Sequence, residues 1–112
     1  PFQAIPRLLA DMAIDVAAAR HLAYHAAWLM DKGRNNAKEA AYAKAFSGDM
    51  CMKVTTDALQ VFGGAGYSRE FPMEKLMRDA KIYQIWEGTA ENQRLVISRA
   101  ISGSRGTIRL RG

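Results

Sequence analysis

The stretch IYQIWEGTAENQRLVISRAI at residues 82–101 places a carboxylate, Glu87, directly behind Trp86 and directly ahead of Gly88 and Thr89. A charged carboxylate among aromatic and aliphatic side chains is costly unless something uses it. In a mostly apolar pocket its proton affinity rises, which suits a general base taking a proton from carbon near neutral pH. Gly88 would admit a substrate closely, and the free amides of a helix opening at Thr89 would face anionic groups. The plainer reading is a first-turn glutamate that complements a helix dipole. By themselves these residues leave both readings open.

Two other patterns could carry chemistry. His21 and His25 are four apart, which puts both imidazoles on one helix face, as a metal site needs. No acidic or cysteine third ligand is obvious, so a surface or packing role is expected and no metal is assigned. The glycines of QVFGGAGY, residues 60–67, could let a backbone approach a phosphate. They follow a helix instead of a strand, so neither the dinucleotide-binding fingerprint nor the P-loop applies, and a helix cap is the competing explanation.

The elements that must position these residues are helical. Across residues 5–30, Ile5, Leu8, Leu9, Met12, Val16, Ala19, Ala23, Ala26 and Met30 recur at steps of three and four, with Arg7, Asp11 and Asp15 outside the stripe. This predicts a long helix ended by the turn Asp31-Lys32-Gly33. Ala43, Phe46, Met50, Val54, Ala58 and Val61 predict a second over 36–62, with Lys53 and Asp57 as a surface pair four apart. The glycine run stops it. Pro72 suits the first turn of a shorter helix through about Lys81, and Ile82–Trp86 is the one segment ambiguous between helix and strand. Thr89 is the predicted N-cap of a last helix carrying Leu95, Val96 and Ile101, though Asn92 stands where a capping box has glutamate or glutamine. The expected fold is all-α, an antiparallel four-helix bundle over residues 1–102, with 103–112 as a tail.

A chain of 112 residues, 49% hydrophobic, is long enough for one core and too short for two. Its formal charge of +5 suits an anionic partner of any kind. The single cysteine, Cys51, excludes an internal disulfide and a cysteine zinc site. No run reaches the roughly 18 apolar residues of a membrane span, and no signal peptide is visible. Because the chain starts at Pro1 without methionine, we expect a fragment or a processed piece.

Taken together, FQAIPRLLADMA at 2–13, DALQVFGGAGYSREFPMEKLMRDAKI at 57–82 and YQIWEGTAENQRLVISRAI at 83–101 resemble the C-terminal domain of the acyl-CoA dehydrogenase family. Several linked motifs in the right order make the resemblance specific over nearly the whole chain. The family oxidises acyl-CoA thioesters to trans-2-enoyl-CoA with FAD, using an N-terminal helical domain, a middle β domain and this bundle. The resemblance implies that Glu87 is the catalytic base, removing the α-proton while a hydride leaves the β carbon for flavin N5. It implies that the glutamate's own amide helps hold the thioester carbonyl and that Gly88 adjoins the acyl-CoA. Thr89, Ala90 and Glu91 would line the FAD of the same subunit. Phe2, Gln3, Gln60, Val61, Phe62, Gly63 and Gly64 would reach the FAD of a neighbouring subunit, and Arg99 would lie near the CoA nucleotide.

The implied partners are acyl-CoA as substrate, an electron-transfer flavoprotein as acceptor, and further copies of the chain in a homotetramer, without nucleic acid. The implied location is the cytoplasm in a bacterium or the mitochondrial matrix in a eukaryote. Trp86 replaces a more usual tyrosine, and Asn92 replaces a usually aliphatic residue, putting a polar group on a packing face. The isovaleryl and long-chain enzymes supply the base from elsewhere, and Glu87 argues against those branches. The alternatives are an acyl-CoA oxidase-like relative and a non-catalytic helical interaction module. Retention of Glu87, Gly88 and Thr89 together argues against the latter.

Overall fold

A computed structural model describes residues 3–86 and 89–103. Phe2, Glu87 and Gly88 lie outside the described residues, as does most of the expected tail. The elements are α1 (Ala4–Asp31), α2 (Ala37–Phe62), a 3-10 turn (Gly63–Tyr67), α3 (Met73–Ile85) and α4 (Ala90–Ser102). The expected all-α bundle of two long and two shorter helices is what forms. The ambiguous segment is helical as far as Ile85, so α3 continues past Lys81 by a full turn.

The face that α1 buries differs in phase from the expected one. Leu8, Met12, Asp15, Ala19, Leu22, Ala26 and Leu29, at alternating steps of four and three, are buried or half-buried, with Ala18 beside them, the spacing of a helix-pair seam. Asp15 therefore sits on the seam, not outside it. Its cost is offset by Lys53, whose Nζ donates to Asp15 Oδ2 at 2.9 Å across the helix pair in place of the expected bond to Asp57. That hydrogen bond is the main cause of the raised Lys53 pKa, with the Asp15, Asp57 and Asp11 charges adding to it. Met30, expected inside, is 66% exposed, and Leu29 takes the buried position.

Small residues let the axes approach. The buried apolar residues are Ala19, Ala26, Leu29, Ala41, Ala45 and Ala80, joined by Gly48 and Gly66. Such a core removes little apolar area from water, and area is what drives folding. Tyr24, Trp28, Ile82, Ile85 and Trp86 stay exposed on the single chain.

Cross-helix contacts fix the register on α2. Asn36 Nδ2 donates to Ala26 O at 2.9 Å, and with Asp15–Lys53 this makes α1 and α2 an antiparallel hairpin. Extending that register brings Gln3 level with the end of α2 near Gln60–Gly64. On the other side, Gln84 and Arg94 both meet Asp49, the 3-10 turn touches α3, and Ala100 shares a small concavity with Ala37 and Glu39. So α3 lies along the C-terminal half of α2 and α4 along its N-terminal half. The end of α3 and the start of α4 both meet α2 near its midpoint, at Asp49.

Candidate active site

The connector leaves α3 when Trp86 N donates to Ile82 O at 2.8 Å and Trp86 turns extended, at φ −84° and ψ 147°. It enters α4 at Thr89, whose Oγ1 accepts from Asn92 N at 3.1 Å. Thr89 is thus the expected N-cap, with half of a capping box. Asn92 supplies its backbone to the cap and is exposed on the single chain, not on a packing face among the described residues. Gln93 N makes the first bond of the helix ladder, to Thr89 O at 3.0 Å. The amides of Ala90 and Glu91 precede that ladder and open toward the connector.

Three groups on α2 hold the ends of this connector. Lys44 Nζ donates to Tyr83 O, placing a cation at the carbonyl end of α3, where the helix dipole favours it. The same ammonium lies 5.9 Å from the centre of the Tyr83 ring. Gly48 permits the contact, since a Cβ there would lie 3.0 Å from Tyr83 O. Asp49 then accepts from both sides, Gln84 Nε2 at 3.0 Å on Oδ1 and Arg94 Nη2 at 2.9 Å on Oδ2. Lys81 Nζ donates to Gln84 Oε1 at 2.9 Å and orients that amide. The Arg94 hydrogen bond holds the Asp49 carboxyl below the usual carboxylate range, against the opposing effect of partial burial and helped by Gln84 and the Arg94 and Lys81 charges.

Sequence reasoning missed Lys44, Gly48, Asp49, Gln84 and Arg94. The available signal was Asp49 itself, a carboxylate between the predicted core positions Phe46 and Met50.

The other predicted residues fall in two places. Gln3 precedes α1 and is exposed. Gln60, Phe62, Gly63 and Gly64 are exposed at the end of α2, with Val61 half-buried. Phe62 packs on Phe71, ring centres 5.6 Å apart. The second place is the start of α4, where Thr89 and Glu91 are exposed and Ala90 begins the helix. Arg99 is exposed in the last turn of α4, roughly 15 Å along the axis from Thr89. His21 and His25 are both exposed, and His25 stacks on Trp28 with ring centres 6.1 Å apart. A groove of about 590 Å³ between α1, α2 and α4, lined by Leu22, Tyr42, Phe46, Ile97 and the Asp15–Lys53 pair among others, gathers none of the described residues carried over from the resemblance.

Residues 1–102 match the family described as "Acyl-CoA dehydrogenase, C-terminal domain". The chain belongs to the acyl-CoA dehydrogenase family. It is 52% identical over 101 residues to an acyl-CoA dehydrogenase of Bacillus subtilis (strain 168), covering 90% of this chain and 27% of the relative. The solved butyryl-CoA dehydrogenase from Megasphaera elsdenii superposes with a TM-score of 0.88 at 48% identity, over 91% of this chain and 27% of that one. An FAD complex of PigA superposes equally well, TM-score 0.88, at 27% identity over 93% of this chain and 27% of the other. The chain therefore spans about a quarter of the length of the family members it matches.

Proposed function

We propose that the protein carrying this domain oxidises acyl-CoA thioesters to trans-2-enoyl-CoA, with Glu87 as the base that takes the α-proton. One observation carries the reading. Helix α2 clamps the two flanks of a short connector between an apolar helix end and a capped helix start. Glu87 follows Trp86, the last described residue of the first flank, directly in the sequence. Ile82, Ile85 and Trp86 are exposed apolar residues at the end of α3, and a carboxylate beside such residues gains proton affinity once further elements close them from water. Gly88 leaves room for the thioester, and the amide at Glu87 donates to its carbonyl oxygen as charge develops there.

FAD, when bound, supplies the acceptor for the hydride from the β carbon. The described residues fit such a group. Ala90 and Glu91 amides open the α4 N-terminus toward an anion, and a Cβ at Gly63 or Gly64 would meet nothing within 4 Å, so that backbone edge is open to a large flat ligand. The two regions are separated by about 20 Å of helix, in keeping with Thr89–Glu91 serving this subunit's FAD and Gln3 with Gln60–Gly64 a neighbour's. Arg99, in the last turn of α4 and most of a helix length from Thr89, suits the far end of a long anionic substrate. The acceptor of the electrons is an electron-transfer flavoprotein, a reading that rests on the family resemblance.

The test is anaerobic addition of a panel of acyl-CoAs to the complete protein. Flavin bleaching with an enoyl-CoA product two mass units below the substrate is the expected result. Absence of both across the panel would overturn the assignment.

A homotetramer is part of the proposal. Tyr24 and Trp28 are 66% and 50% exposed, more apolar aromatic surface than a thin alanine-rich core leaves to a stable monomer. Sharing the Gln60–Gly64 edge between subunits also makes assembly a condition of FAD binding. Sedimentation equilibrium of the domain should show association that rises with concentration. A monomeric mass throughout would move the assembly energy to the other domains.

A further inference from the structure

We propose that Asp49 is a positioning residue for the base, acting through Gln84 and Arg94. The inference rests on the reading of Glu87 as that base. Asp49 stands at the midpoint of α2, and its two carboxylate oxygens take donors from opposite sides of the connector, the last turn of α3 and the first turns of α4. One side chain thus ties together the two helix ends that flank Glu87 and Gly88 in the sequence. The α3 side is held in turn, the Gln84 amide by Lys81 and the Tyr83 carbonyl beside it by Lys44.

The magnitudes favour placement over stabilisation. Arg94 and Asp49 are 58% and 45% exposed, and ion pairs that open to water add little to folding. Such a pair can still fix direction, because a charge-assisted bond keeps a short and oriented geometry. A base misplaced by about 1 Å loses on the order of a hundredfold in rate, so a contact of slight worth to folding can matter greatly to proton transfer. Gly48, one residue earlier, has the same logic: its missing Cβ lets Tyr83 O come to the depth at which Asp49 can reach Gln84.

The test uses the complete FAD-loaded enzyme and a 3-thia-acyl-CoA, which has α-hydrogens but no β-hydrogen to lose as hydride. Uptake of solvent deuterium at its α carbon, read by mass spectrometry at saturating analogue, reports the base alone. FAD content, analogue affinity and Tm are measured beside it. Asp49→Asn, which keeps an oxygen for Gln84 and loses the charge that holds Arg94, should slow uptake roughly 10- to 100-fold with FAD content and affinity unchanged.

Arg94→Gln should do the same, Arg94→Lys should recover most of the rate, and the double variant Asp49→Asn/Arg94→Gln should be no slower than either single one. If Asp49→Asn loses FAD, the exposed Arg94 pair of variants carries the test. Wild-type uptake in Arg94→Gln and Asp49→Asn, alongside an inactive Glu87→Gln, would overturn the positioning role alone. Uptake that survives Glu87→Gln would overturn the base assignment beneath it. Slowing that appears only together with lost FAD or lost affinity would mark Asp49 as structural and end the proposal.

Discussion

Glu87→Gln in the complete enzyme is expected to leave FAD bound and to stop flavin reduction by acyl-CoA. The amide keeps the shape and length of the side chain and has no basic oxygen to take the α-proton. General-base catalysis contributes about 10²- to 10⁴-fold, and the α-proton of a thioester does not leave unaided on the time scale of turnover. The competing account, a first-turn acid that complements the α4 dipole, predicts something different in size and kind. Removing such a charge costs about 0.3–1 kcal/mol of stability and leaves the rate alone. Anaerobic stopped-flow absorbance of the flavin separates the two, since one predicts a loss of at least about a hundredfold and the other none. Bleaching at an unchanged rate would remove Glu87 from the reaction.

The long helices were legible because periodicity and glycine act locally. α1 and α2 were expected over 5–30 and 36–62 and run over Ala4–Asp31 and Ala37–Phe62. The cap at Thr89 was legible for the same reason, since a hydroxyl three residues from a free amide needs no tertiary partner. What failed depended on the neighbour. Asp15 looked like a solvent residue because a single stripe does not reveal a lysine crossing from the next helix. The last turn of α3 looked ambiguous because Ile82–Trp86 carries little helical signal of its own. Its packing against Gly48 and its bonds to Lys44 and Asp49 decide the matter, and those partners lie more than thirty residues away in sequence.

The candidate site was legible in a different sense. The chemistry of Glu87 stood open on the residues alone and was carried by the family motifs, while the network that holds its flanks gave no signal beyond one unexplained carboxylate. A network assembled from three helices leaves no period in any one of them.

The glycines of residues 63–66 should separate into those that the fold needs and one that the cofactor needs. Gly63 ends α2 at φ 65° and ψ −147°, a region that a residue with a Cβ enters at a cost of about 1–3 kcal/mol. Gly66 has no positive φ to excuse it and is required by contact. A Cβ there would lie 2.7 Å from Phe62 Cβ and 2.8 Å from Leu59 O, and the backbone oxygen cannot swing away as a side-chain tip could. Gly66→Ala therefore strains the join between α2 and the turn, by roughly 1–3 kcal/mol.

At Gly64 a Cβ would meet nothing within 4 Å, so Gly64→Ala should leave the fold within about 0.5 kcal/mol of the parent. In the assembled enzyme the same methyl group would occupy the space proposed for a neighbouring subunit's FAD. Chemical denaturation and flavin content, measured on the complete protein, should therefore move in opposite order: Gly63→Ala and Gly66→Ala lower stability first, while Gly64→Ala lowers retained FAD at unchanged stability of the apoprotein. A Gly64→Ala enzyme that keeps its full complement of FAD through gel filtration would show that this edge faces solvent in the assembly, and the proposed sharing of FAD between subunits would have to be given up.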